Sequence, residues 1–276
     1  MTAPQVSSQV NRHASGGIGA LVGDSAAMRA AVARAVAVPG AKRWWIEPIS
    51  GGVELHGEVA AGGGGPWAPD TRLAAGAGLF AVHLEIAVHA VRPVTSLVPR
   101  NRRPSLLAVL RYGAEAPPTP TERTLHAVLA GARPRPLVEL PGIRPYLRRA
   151  AEAEATWVRS AVDPGERAAI GTLLARGGAD LDPEAMLVLV ASPYDLPAGQ
   201  LRAGRAVQRI LLTATALGYP GALVTGRAGL DLSHRAMIAS GSGIGAVPQA
   251  VLSIGPRRDA SREVASRDVG PASSGS

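Results

Sequence analysis

The stretches AGLFAVHLEIAVHAVRPVTSLVP (77–99) and AGRAVQRILLTATALGYPGALVT (203–225) follow one plan. Each opens on Ala-Gly, continues as an amphipathic segment, turns near a Pro and closes on a short apolar piece. Five of the 23 aligned positions are identical. Two later stretches, LLAVLRYG (106–113) and PQAVLSIG (248–255), share Ala, Val, Leu and Gly in register. A chain that repeats an element order is expected to fold as two similar halves. Such a fused pair mimics a symmetric dimer, with sites at the pseudo-interface. The competing reading is that Ala-rich helices resemble one another by composition; the strand match favours repetition.

Composition narrows the classes. With 276 residues, 46% of them hydrophobic, the chain is long and apolar enough to bury a core. The formal charge of +8 permits an anionic partner such as a phosphate. Cysteine is absent, which excludes disulfides, thiolate catalysis and cysteine-ligated metals. Aromatics make up 3%, too few for the stacking platforms of single-strand binding. MTAPQVSSQVNRHASGG lacks the apolar centre of a signal peptide, and no run of 18 apolar residues occurs. The expectation is a cytoplasmic protein with no membrane partner and loose ends at 1–22 and 257–276.

Periodicity and breakers give alternating helices and strands. A helix is expected over 25–38, then a hairpin, RWWIEPI and VELHG around Ser50-Gly51-Gly52. A helix over 76–91 precedes strands at VTSLV (94–98) and 106–112. AEAPPTPTE (114–122) reads as a linker and divides the halves, 23–113 and 114–256. The second half offers a helix over 121–132 stopped before Pro134, helices over 145–162 and 164–177, and a buried strand at 185–192. A helix over 200–217, the strand GALVT, a short helix LSHRAMIA and a last strand at 248–255 complete it.

Most motifs have bland readings. ASGSGIG (239–245) follows a helix and precedes a strand, the reverse of a dinucleotide loop, so it reads as a Gly-rich loop. GGGG (62–65) lacks the Lys-Ser/Thr of a phosphate loop. The six histidines show no HExxH and no local cluster, so no metal site is expected. Asp231, Ser233 and His234 lie close together but without a nucleophile elbow, and read as a helix cap. Of the basic clusters, only ARPRP stands out. There Arg133 and Arg135 alternate with Pro134 and Pro136 after a helix, a stiff presentation of two guanidinium forks suited to phosphate oxygens.

PYDLPAGQLRAGRAVQRILLTATALGYPGALVT followed by PQAVLSIG resembles the C-terminal half of nitroreductase-like flavoproteins, in particular the actinobacterial branch with two half-domains fused in one chain. Asp195, Ala203, Gly204, Ala206, Gln208, Arg209, Leu211, Leu212, Pro248 and Gln249 match that branch's pattern. PDTRLAAGAG (69–78) stands more faintly where the family has Asp-x-x-Arg before its first Gly helix. The resemblance covers about 25–256. It implies an α+β fold with a central, mostly antiparallel sheet and two pseudo-symmetric halves. It also implies FMN at the pseudo-dimer interface, NAD(P)H as electron donor and a small-molecule acceptor such as a quinone or nitroaromatic. Arg133 and Arg135 would then hold the FMN phosphate.

Departures cluster in one segment. VPGAKRWW (38–45) replaces the family's Ser-Pro-His-Asn-x-Gln-Pro-Trp, with Ala41 for the Asn and Arg43 for the Gln; Pro39 and Trp45 keep register. Losing two amides removes hydrogen bonds worth about 0.5–1.5 kcal/mol each. Arg43 beside the flavin's N1–O2 edge would compensate by favouring the anionic reduced state, and Trp45 would pack near the ring. Ser253 replaces the family's closing Arg. Two classes therefore follow: an FMN-dependent NAD(P)H oxidoreductase, or a non-catalytic relative that holds flavin. Nucleic-acid binding ranks last because no recognised module is present. The expected assembly is a monomer that resembles a dimer, with a homodimer as the alternative.

Overall fold

The computed structural model describes residues 25–58, 68–98, 103–133, 142–161, 164–176, 182, 184–227, 229–230 and 246–256. The first half runs α1 (Ser25–Ala33), β1 (Trp44–Ile49), β2 (Gly52–Gly57), α2 (Pro69–Val88), β3 (Val91–Leu97) and β4 (Leu106–Glu115). The second runs α3 (Pro120–Leu129), α4 (Arg144–Glu152), β5 (Trp157–Ser160), α5 (Pro164–Arg176), β6 (Met186–Ser192), α6 (Pro197–Ala216), β7 (Gly221–Thr225) and β8 (Val247–Ile254).

The expected mixed α and β composition is present, but the single central sheet is not. Two separate four-stranded sheets form, ordered β1-β2-β4-β3 and β5-β6-β8-β7, with every pairing antiparallel. Proline accounts for part of the separation. Edge strands β1 and β3 carry Pro48 and Pro93, which have no N–H to give a further strand. In both sheets the fourth strand in sequence lies beside the second. Both also carry a bulge at matching places: Leu107 is skipped between Leu55/Ala108 and His56/Leu106, and Gln249 between Val190/Ala250 and Ala191/Pro248. These extra residues coincide when 106–113 is aligned with 248–255.

The hairpin forms as the sequence suggests, Ile49 facing Gly52 across a turn in which Gly51 adopts φ +72°. Elsewhere the boundaries move. Helix α2 starts at Pro69, not 76, because proline suits a first helical position. The segment read as one helix over 145–162 breaks after Glu152. Ala155 takes φ +51°, and Trp157–Ser160 pairs with β6, since aromatic and β-branched residues gain more from the ladder than from helix. The segment read as the linker 114–122 is shared between the end of β4 and the cap of α3. There Thr119 and Glu122 form a reciprocal capping box. That helix stops at Leu129, with Gly131 at φ +97°, and not before Pro134. Helix α1 likewise ends at Ala33, short of Pro39. The short helix LSHRAMIA, the loop 239–245 and the triplet Asp231, Ser233, His234 lie outside the described residues.

Helices α2 and α6 are 20 residues each, both begin on a proline, and they pack against one another. Position by position from those prolines, Arg72 matches Gln200, Leu73 matches Leu201, and Gly76 matches Gly204. This moves the helical part of the 77–99/203–225 alignment by two residues. The crossing is reciprocal. A Cβ on Gly76 would lie 2.1 Å from the Leu201 carbonyl oxygen, and one on Gly204 would lie 2.0 Å from that of Leu73. The two leucines are exchanged: Leu73 joins the core of the second sheet with Val188 and Val190, and Leu201 joins that of the first with Val53 and Leu55. Contacts of residue i with j′ and of j with i′ are the signature of a two-fold relation. Among the described residues α2 alone is long and apolar enough to cross a membrane; here it is the buried central helix of the core.

Candidate functional site

The crossing of α2 and α6 carries a polar network centred on Arg72 and Gln200. Arg72, in the first turns of α2, is 4% exposed, and its Nε donates to Gln200 Oε1 at the matching position of α6. Gln200 Nε2 donates to Asp195 Oδ1 at 2.7 Å. Arg227, just beyond β7, donates to the same carboxylate through Nε and Nη2. Behind it Gln249, the bulged residue of β8, donates through Nε2 to Ser192 Oγ at 2.9 Å, and that hydroxyl donates to the Tyr194 carbonyl. The loop Ser192–Leu196 thus directs the partly exposed Asp195 carboxylate at Gln200 and Arg227, with Tyr194 and Leu196 exposed on either side of it.

Charge in this network is balanced by contact. Burial opposes ionisation of Asp195. The hydrogen bonds from Arg227 and Gln200, with the Arg227 charge, prevail and hold its carboxyl below the usual range. Burial lowers the Arg72 guanidinium from its ordinary value, and Asp195 opposes that shift. Two polar atoms, Arg72 Nη1 and Gln249 Oε1, are buried without a hydrogen-bond partner.

A second charged layer ties α2 to α3 and α6. Glu154, just after α4, accepts from Arg205 Nε at 2.5 Å and Arg209 Nη1 at 3.0 Å, and both guanidinium groups lie over Phe80. His83 stacks in parallel with Phe80. Burial, reinforced by Arg205, lowers its pKa to about 4, against the pull of Glu154 and Glu122. Glu85 accepts from His126 at 2.9 Å, pinning α3 to α2.

Two of the predicted site residues are neighbours. Arg43 and Trp45 come together at the start of β1: the guanidinium lies 5.7 Å from the indole centroid, and Trp45 also stacks on His56. Trp44 turns inward over α2, where only a glycine at 78 leaves room; a Cβ there would lie 2.0 Å from its ring. Arg133 is exposed, three residues past the C-cap of α3. Arg135 lies outside the described residues. Sequence reading picked Asp195 and Gln249 from the family pattern but missed Arg72, Gln200 and Arg227 as their partners. The reason is distance along the chain: Arg72 and Gln200 are 128 residues apart. A polar residue recurring at the fourth position of two helices that each begin on proline was the available signal.

No protein-family model matches the chain, and no curated protein matches it. Among solved structures, an NADPH:FMN oxidoreductase from Vibrio harveyi complexed with NAD+ is similar over 49% of this chain and 69% of its own. The sequence identity is 15% and the TM-score 0.35.

Proposed function

We propose that this chain is an FMN-binding protein of nitroreductase type that passes electrons from NAD(P)H to a small acceptor, built as two fused half-domains. One observation carries the reading: the same spatial strand order occurs twice, β1-β2-β4-β3 and β5-β6-β8-β7, and the two long helices exchange Leu73 and Leu201 across a reciprocal crossing. Two matched halves are part of what the sequence resemblance implies, with the flavin where they meet; the single central sheet it also implies is not formed.

The residues at hand suit such a group. Arg133 is exposed beside a helix end, and Arg43 with Trp45 forms a half-exposed cation–aromatic platform on which a flat anionic ring system can rest. In this reading Arg133 and Arg135 hold the phosphate, Trp45 bears on the ring, and Arg43 favours negative charge at its edge. FMN, when bound, supplies the redox chemistry; the protein supplies position and electrostatics. The side chains need provide no acid or base of their own.

A second reading keeps FMN but not turnover. Ala41 and Arg43, standing where the family has amide side chains, favour it. Titration of the purified chain with FMN, followed by NADPH oxidation with a quinone acceptor, separates the two. Saturable binding with quinone-dependent turnover supports the oxidoreductase, and binding without turnover supports the flavin-holding protein. A chain that takes up no FMN overturns both.

A further inference from the structure

The β1–β2 hairpin carries a cluster that none of the preceding uses. Glu47 and Glu54 face each other directly across the two strands, and His56 lies two residues beyond Glu54 on the same face. His56 Nε2 is 3.1 Å from Glu54 Oε2 and 3.6 Å from Glu47 Oε2, and the three candidate ligand atoms lie within 4.8 Å of one another. We propose that Glu47, Glu54 and His56 form a binding site for a divalent first-row metal ion of the Zn2+ class.

Geometry supports three-point capture. A tetrahedral ion with bonds of about 2.0–2.2 Å to nitrogen and oxygen sets its ligand atoms about 3.4 Å apart, and the observed pair of distances brackets that figure. The imidazole biases the set toward Zn2+-like ions over Mg2+ or Ca2+, which prefer all-oxygen shells. An observation outside the cluster points the same way. Ser105 Oγ lies 3.1 Å from His56 Nδ1, the ring nitrogen that faces away from the carboxylates. Metal-bound histidines use such an outer oxygen to fix the ring with its other nitrogen toward the ion. Trp45 stacks 5.6 Å from the imidazole and covers one side of it. Glu54 and His56 are buried whereas Glu47 is 60% exposed, so the site opens to solvent on the Glu47 side. An ion held there keeps a position for water.

Arg103 is the competitor. Its Nη1 donates to Glu54 Oε2 at 2.6 Å, the same oxygen that faces His56, while its side chain is 62% exposed. This guanidinium competes with an ion for the lone pairs of that oxygen and repels it by charge. The two charged neighbours therefore have opposite effects: Glu47 supports binding and Arg103 opposes it.

Equilibrium dialysis of the tag-free, metal-stripped full chain against Zn2+ tests the site, with the visible spectrum of Co2+ as a report of coordination. The wild type is expected to bind one equivalent. Glu47→Gln, at an exposed position, is expected to weaken binding by at least about tenfold, and Arg103→Ala to tighten it. His126→Gln, which alters a histidine–glutamate contact outside the hairpin, is expected to change nothing. Absence of stoichiometric binding overturns the proposal, as does binding insensitive to both Glu47→Gln and Arg103→Ala, or binding lost in His126→Gln instead. None of these outcomes depends on flavin.

Discussion

Four residues carry separable expectations. Replacing Arg133 and Arg135 together with Ala should weaken FMN binding by several kcal/mol, since charge-assisted bonds contribute about 1.5–3 kcal/mol each. Riboflavin, lacking the phosphate, should be little affected. Calorimetry with both ligands checks this, and an equal loss for the two would place the phosphate elsewhere. Asp195→Asn should cost about 2–3 kcal/mol in urea unfolding. It removes the charge that meets Arg227 and that supports the charged form of Arg72, and partial exposure of Asp195 limits the loss. The depressed carboxyl makes this contribution present above the ordinary aspartate range and lost as pH falls through its lowered value. His83 acts in a different window. Its folded-state pKa of about 4 lies below the ordinary histidine value, so between the two the unfolded chain binds the extra proton. Stability should therefore fall as pH drops from about 6.5 to about 4. His83→Gln should flatten that slope, as read by urea midpoints across the range.

Among elements, the crossing of α2 and α6 is the most demanding. Gly76→Ala and Gly204→Ala each drive a methyl group into a carbonyl oxygen of the opposite helix. Each should lower stability by about 1–3 kcal/mol or more, and the two costs should be similar because the contacts are reciprocal. Thermal unfolding of the pair of variants checks this; a large cost at one position only would count against the two-fold relation. The sequence displayed much of this level. The β1–β2 hairpin was legible because alternation and Gly51-Gly52 agree, and β8 could be matched to β4 because its apolar run is short and bounded. Strand β5 was hidden. Residues 145–162 are rich in Ala, Arg and Glu, which favour helix, and only pairing with β6 turns Trp157–Ser160 into strand. The seam network was legible only in part. Asp195 and Gln249 sit in a recognisable pattern, but Arg72 gains its meaning from a helix crossing that no local window contains. The carboxylate–histidine cluster escaped because Glu47 reaches it only through cross-strand register.

At the scale of the whole molecule, the exchange of Leu73 and Leu201 means that neither half completes its own core. A chain cut between Glu115 and Pro120 should give two fragments that are poorly folded alone and reassemble when co-expressed, which size-exclusion with light scattering would show. The fused-halves reading predicts a monomer for the intact chain, which the same measurement checks. The Arg72–Gln200 contact carries one more consequence. When two identical chains meet about a two-fold axis, a residue beside the axis faces its own copy, so arginine would meet arginine and glutamine would meet glutamine. Here the two matched positions hold a pure donor and an acceptor, a complementary pair that self-association of identical subunits cannot create. Covalent linkage frees the central contact from sameness. Each half can therefore change alone, and the seam can hold one kind of site on one side and another, or none, on the other.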